Sequence, residues 1–183
     1  MSNNESFFIK MENYVKEENF YEKVESKKRH PARGDIVIPY DTASGKLSDM
    51  LGVIVITNDC DIINGNAKYL IFLPIYKAKK YFSNSLNKEE RKKWYRIITL
   101  NHKNLFFLPP HSEIDDDFGG VINFQDIRTQ DIEYFNELNP EPKIKLKSPY
   151  IDRLCLKVAY LFNRVPINHP NNEEIQKWLE DKV

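Results

Sequence analysis

The pattern of apolar and polar positions changes period several times along this chain, and the changes mark its elements. Val53 to Thr57 are five consecutive β-branched residues, the pattern of a buried strand. Before it, Gly34-Asp35-Ile36-Val37-Ile38-Pro39-Tyr40 reads as a strand opened by a glycine, and residues 41–49 form a polar loop. After it, Asn64-Gly65 supplies a turn, and Lys68 to Ile75 gives a third strand closed by Pro74. The connections are too short for helical crossovers, so the three strands form an antiparallel meander. A small barrel or strongly bent sheet follows.

Residues 77–95 form a helical insertion. Asn87 caps it, Glu89 and Glu90 occupy the first turn, and Arg91, Lys92 and Lys93 follow, which matches the helix dipole at both ends. Strand character resumes at Tyr95 to Leu100 and at Leu105 to Leu108. The chain then passes Pro109-Pro110-His111 and an acidic loop, Glu113 to Asp117, before another short strand at Val121 to Phe124. Ile127 to Phe135 fits strand and helix equally. Ser148-Pro149 is a helix start, and Ile151, Leu154, Cys155, Val158, Ala159 and Phe162 then share one face. A last short helix begins at Asn172, with Ile175, Trp178 and Leu179 on its buried side.

Residues 1–30 carry apolar positions at helical spacing (Phe7, Met11, Tyr14, Val15) and end in Lys27-Lys28-Arg29-His30-Pro31. That basic run complements a helix C-terminus or offers a phosphate contact. The expected organisation is therefore an N-terminal helical arm, residues 1–30, followed by a barrel domain, residues 31–183, containing the 77–95 insertion and the C-terminal helices of residues 148–183. The fold class is α+β: a small, partly open antiparallel SH3-like β-barrel with N-terminal helices and a packed C-terminal helix.

Composition narrows the function. Twenty-seven basic and twenty-seven acidic side chains cancel over 183 residues, so no whole-molecule field draws the protein to nucleic acid or anionic lipid. A local basic patch remains compatible with that balance. No apolar run approaches the roughly 20 residues of a membrane span, and the N-terminus lacks the pattern of a signal peptide. Two cysteines without a secretion signal point to a reducing, cytoplasmic setting. Neither CxxC nor HxxxH spacing occurs, so no metal or other cofactor is expected. The acidic loop lacks the alternating ligands of an EF-hand.

The strand at residues 52–57 empties into Asn58-Asp59-Cys60-Asp61, a polar and reactive cluster at a rigid strand end. As an enzyme site, Cys60 is the nucleophile, His111 or His102 the base, and Asp59 or Asp61 the orienting group. Two carboxylates beside the thiol oppose its ionisation unless a histidine or Arg33 offsets them. As a turn, the same residues cap backbone amides and Cys60 points inward. Elsewhere Lys80, Arg91, Lys93 and Arg96 interleave with Tyr81, Phe82, Trp94 and Tyr95, the composition of a single-strand nucleic-acid surface. The same pattern also describes a helix laying its aromatics on the barrel with its lysines in water.

The pieces Gly34-Asp35-Ile36-Val37, Val53 to Asp59 and Phe72-Leu73-Pro74-Ile75 resemble the opening of the MazF/PemK-type toxins, whose fold is a small SH3-like barrel. The resemblance covers Gly34 to Ile75 and implies the barrel. It does not imply the toxins' ribonuclease activity. Leu51-Gly52 stands where that family has Arg-Pro, and Tyr76 stands where it has threonine or serine. A wider set of pieces is similar to a loose bacterial group to which no activity attaches: Asn58 to Ile62, Leu108-Pro109-Pro110, Ser148-Pro149-Tyr150 and Phe162-Asn163-Arg164-Val165.

The function expected from these observations is a non-enzymatic bacterial barrel module that binds a partner protein or nucleic acid, in the setting of a toxin or defence-type system. Its binding residues would be Arg33, Asn58, Lys80, Arg91, Lys93, Trp94 and Arg96. The alternative is a cysteine-dependent hydrolase built on Cys60, His111, Asp61 and Asp59.

Overall fold

The β-branched run lies in the third strand of an antiparallel sheet in the computed structural model, which describes residues 20–24, 30–38, 50–81, 87–115, 118–138 and 140–162. The strands are β1 (Tyr21–Lys23), β2 (Asp35–Val37), β3 (Met50–Val55), β4 (Tyr69–Lys77), β5 (Leu105–Leu108), β6 (Gly120–Asn123), β7 (Arg128–Asp131) and β8 (Ile144–Leu146). The helices are α1 (Asp59–Ile63), α2 (Lys88–Ile98), α3 (Ile132–Glu137) and α4 (Tyr150–Phe162), and a 3-10 turn spans Ala78–Tyr81. Across the sheet the order is β1-β8-β2-β3-β4-β6-β5, with β7 also paired to β4. Every pairing is antiparallel. The sheet curls into an open half-barrel, so the α+β expectation holds and the architecture is compatible with an SH3-like barrel. The seam lies between β1 and β5, where the Tyr21 hydroxyl donates to the Pro109 carbonyl at 2.9 Å.

β3 is apolar at every position from Val53 to Val55 because both faces of the sheet are covered there. Ile54 faces the main core, with Leu73, Ile75, Phe106, Val121 and Ile122. Val53 and Val55 face a smaller cluster with Val37, Leu70 and Phe72, closed by Ile62 of α1 and Phe135 of α3. Where β3 passes β2, a Cβ on Gly52 would stand 2.1 Å from the Val37 carbonyl oxygen, so only glycine permits the approach. The β3–β4 register shifts at the same point, between Met50 and Gly52.

Pro74 does not close β4. The strand continues to Lys77, and the proline sits where the outer edge of β4 changes partner, from β7 up to Phe72 to β6 from Ile75 onward. Its missing N–H costs little at that switch. Residues 127–135, which fit both strand and helix, are divided between the two: β7 runs to Asp131, whose carboxylate then caps α3 by accepting from the Glu133 N–H at 2.8 Å.

Helices α2 and α4 cover the concave core. Trp94, Ile97 and Ile98 of α2 and Ile151, Leu154 and Val158 of α4 enter the same cluster. Phe20 stacks on Tyr150 at 3.8 Å between ring centroids, holding the start of α4 against β1. The expected N-terminal helical arm lies largely outside the described residues, and within it Tyr21–Lys23 is a strand paired with β8. Both β1 and β8 were absent from the sequence reading. The last helix expected from Asn172 also lies outside the described residues. No helix among the described residues is long and apolar enough to cross a membrane.

Candidate anion-binding pocket between α4 and the loop after α2

Helix α2 begins as its sequence predicts. The Asn87 side chain accepts from the Glu89 and Glu90 N–H groups at 3.0 and 2.9 Å, and the Glu90 carboxylate accepts from the Asn87 N–H at 3.0 Å. Its end departs from the sequence reading. The helix continues through Tyr95–Ile98, where a strand was expected, and stops in a Schellman turn. Leu100 takes the left-handed position at φ 58°, and the Leu100 and Asn101 N–H groups donate to the Ile97 and Arg96 carbonyls at 3.0 and 2.7 Å. The His102 N–H adds a second bond to the Arg96 carbonyl at 2.8 Å.

That turn fixes His102. Its Nδ1 accepts from the Asn104 and Leu105 N–H groups, both at 3.2 Å, so the neutral ring carries its proton on Nε2. From the other side, Lys157 of α4 donates its ammonium to the His102 carbonyl at 2.7 Å. Burial pushes the imidazole below its ordinary pKa, and the charges of Lys93, Lys157 and Arg96 push it further. Lys157 is itself held below the usual lysine value, first by burial and then by Arg153.

These groups border a pocket of about 300 Å³, lined by Leu100, Asn101, His102, Lys103, Arg153, Leu156, Lys157, Tyr160 and Leu161. Among the described residues, none of the lining side chains is a carboxylate. His102 Nε2–H, Lys103, Arg153 and Lys157 present donors alone, while the Asn101 amide donates to Thr99 at 3.2 Å. Leu156 and Tyr160 leave 63 % of their surfaces exposed at its edge. A concave site of like charges, with no carboxylate among its described lining residues, is built for an anion.

The sequence-predicted residues do not gather in one place. Lys93 and Arg96 lie beside the pocket, close enough to act on His102. Trp94 does not join them: at 1 % exposure its ring is core, and no face remains for a base. Arg91 is half-buried on α2. Lys80 stands apart over the Tyr76 ring, 5.9 Å from its centroid.

The strand-end cluster, open to readings as a reactive site or as a turn, is the start of helix α1. Asn58 is the N-cap of α1, exposed and without a side-chain capping bond. The Asp59 carboxylate accepts a short hydrogen bond from the Arg33 N–H, tying α1 to the start of β2. The Arg33 guanidinium pairs with Asp152 at 3.4 Å. The Asp61 carbonyl accepts from Asn66 and Ala67, both at 2.9 Å. Cys60 is exposed and does not point inward. Among the described residues no hydrogen bond joins it to His102 or His111. His111 stacks edge-on against Tyr21, and its Nδ1 accepts from the Glu113 N–H at 3.1 Å. Cys155 is half-buried in α4, its thiol pKa raised by that burial.

A second polar cluster escaped the sequence reading. The Tyr76 hydroxyl donates to Asp126, whose two oxygens accept from Arg128 Nε and Nη2 at 3.0 and 3.2 Å. Burial, then the bond and charge of Asp126, push Tyr76 up to about 12. Burial opposes ionisation of Asp126, but Arg128 and Tyr76 outweigh it and lower its pKa. The cluster pins the turn between β6 and β7 onto β4. Among the described residues, no three His, Cys, Asp or Glu side chains converge as a metal site. In the acidic loop, Glu113 pairs with Lys143 at 3.0 Å and Asp115 accepts from the Phe118 N–H at 3.0 Å.

Lys103, Arg153, Leu156, Lys157 and Tyr160 were not singled out in the sequence. Their signal was the stripe Arg153, Lys157, Tyr160 at i, i+4, i+7, flanking the apolar face of α4. Comparison with known proteins returns no matching family model and no curated relative.

Proposed function

We propose that this protein is a non-enzymatic binding module that recognises nucleic acid through the pocket between α4 and the loop after α2. The observation that carries the reading is the donor-only lining of His102, Lys103, Arg153 and Lys157, with Lys93 and Arg96 adjacent and no carboxylate among the described lining residues. Phosphate oxygens are acceptors without donors, and such a lining complements them. A neutral protein with a concentrated cationic site binds a polyanion locally, without a whole-molecule field.

The half-barrel supports the analogy with MazF/PemK-type toxins at the level of fold, and a toxin or defence-type system is the setting we propose. The analogy carries no catalysis here. Gly52, at the position of the toxins' proline, sits in the β3 bulge, and Tyr76 is bound to Asp126. A hydrolase at Cys60 has less support, since no histidine hydrogen bond reaches that thiol among the described residues.

The test is binding of a labelled mixed-sequence RNA, followed by fluorescence anisotropy while salt rises from about 50 to about 200 mM. Binding that weakens with salt is the expected result. No binding at the lower salt would reject the reading.

A further inference from the structure

We infer that the pocket seats a single unpaired nucleotide, with its base against Tyr160 and Leu156 and its phosphate among Arg153, Lys157 and Lys103, so that the module is selective for single strands. This rests on the nucleic-acid reading above and adds the class of nucleic acid to it.

Three observations carry the inference. The cavity, at about 300 Å³, is concave and at the lower end of the roughly 300–1,000 Å³ of small-ligand pockets. That is room for a nucleotide and not for a duplex, whose stacked bases cannot turn into it. The second observation is chemical segregation within the site. Tyr160 and Leu156 are each 63 % exposed on α4, yet they border the cations. An aromatic ring lining a pocket beside arginine and lysine is suited to a base joined to a phosphate.

The third observation is rigidity. The loop that forms one wall is fixed by the Schellman turn at Leu100, by two backbone amides on His102 Nδ1 and by Lys157 on the His102 carbonyl. A preformed wall keeps His102 Nε2–H as a neutral donor at a set place, so little ordering is needed when a nucleotide enters. Arg153 and Lys157 are one helical turn apart on α4, and Tyr160 follows a turn later. Phosphate and base are therefore read from one rigid helix.

The test compares an oligothymidylate and an oligouridylate with abasic strands of equal length and charge, and with a duplex, by fluorescence anisotropy on the full chain. The base-bearing strand, ribo or deoxy, is expected to bind about ten-fold more tightly than its abasic counterpart, the order of one stacked base. Tyr160→Ala should reduce that ratio to near one, and Tyr160→Phe should restore it. Because Tyr160 is exposed, its replacement leaves the fold intact, which circular dichroism checks. Equal binding of abasic and base-bearing strands, or a ratio indifferent to Tyr160→Ala, would overturn the inference while leaving phosphate recognition standing. Failure of every strand to bind would overturn both.

Discussion

The Lys157 ammonium donates to the His102 carbonyl at 2.7 Å, joining α4 to the loop beyond α2 across 55 residues of sequence. This bond assembles the pocket, because it holds the wall carrying His102 and Lys103 against the helix carrying Arg153, Leu156 and Tyr160. The same lysine is a cation in a site that already holds Arg153, and burial and that neighbour lower its pKa. A charge kept where it is disfavoured is stabilised when an anion arrives.

Lys157→Met keeps the stem and removes the ammonium. The loss of its hydrogen bond is offset in part by relief from burial and from Arg153, so the net cost is about 1 kcal/mol in urea unfolding. The rise in Tm produced by nucleic acid in the wild type should disappear in the variant, as linkage requires if the ligand no longer binds the folded state.

His102 gives the pocket a pH dependence whose sign is fixed. Its folded pKa lies below the ordinary 6.5. Below that pH the unfolded chain takes up a proton that the folded chain resists, so stability is fully present above 6.5 and falls as pH drops toward the folded value. Protonation would also turn Nδ1 from acceptor to donor against two backbone N–H groups. Urea midpoints of wild type and His102→Asn, followed downward from about pH 7.5, should converge, since asparagine retains an acceptor without titrating. A constant difference would show that His102 titrates alike in both states.

Tyr76 gives a second, alkaline signature. Its folded pKa is pushed to about 12 from 10.0. The stability it contributes is present below pH 10 and lost as pH rises toward 12, because the unfolded phenol ionises first. Tyr76→Phe should cost about 1 kcal/mol at neutral pH, and the gap between the two proteins should close across that window. On the acid side Asp126 behaves oppositely: its lowered pKa means its contribution fades as pH falls through the folded value.

Leu100 separates two opposed effects. Its left-handed φ of 58° favours glycine, which would relieve about 1 kcal/mol of backbone strain. The side chain is 4 % exposed, and deleting a buried leucine costs about 2–5 kcal/mol. Burial wins, so Leu100→Gly should lower the unfolding midpoint and loosen the pocket wall, seen as faster amide exchange at Asn101 and His102.

The same residue explains what the sequence concealed. Ile97, Ile98 and Thr99 are β-branched and Leu100 occupies the place where glycine would mark a helix end, so the segment read as strand. Elements with strong local signals were legible: β2, β3 and β4 from their apolar runs, the start of α2 from its capping box, and α4 from its apolar face. β1 and β8 are three residues each and include Glu22, Lys23 and Lys145, too short and too charged to show alternation. Asn58-Asp59 suggested a turn, yet Asn at an N-cap is also how a helix begins. The pocket was illegible because it is tertiary. Lys93 and Arg96 were read from α2, but Lys103, Arg153 and Lys157 join them only after α2 and α4 pack on one core.

The most direct measurement is the affinity of a single-stranded oligonucleotide for wild type and for the double variant Lys103→Glu, Arg153→Glu, as salt rises from about 50 to about 200 mM. Both substituted side chains are exposed, so an unchanged unfolding midpoint confirms the fold. With three to five phosphates neutralised, the wild type should show a slope of about −2 to −3.5 in log affinity against log salt. The variant should bind at least about ten-fold more weakly at low salt, with a shallower slope. Equal affinity and equal slope in the two proteins would contradict the assignment of the pocket as the nucleic-acid site.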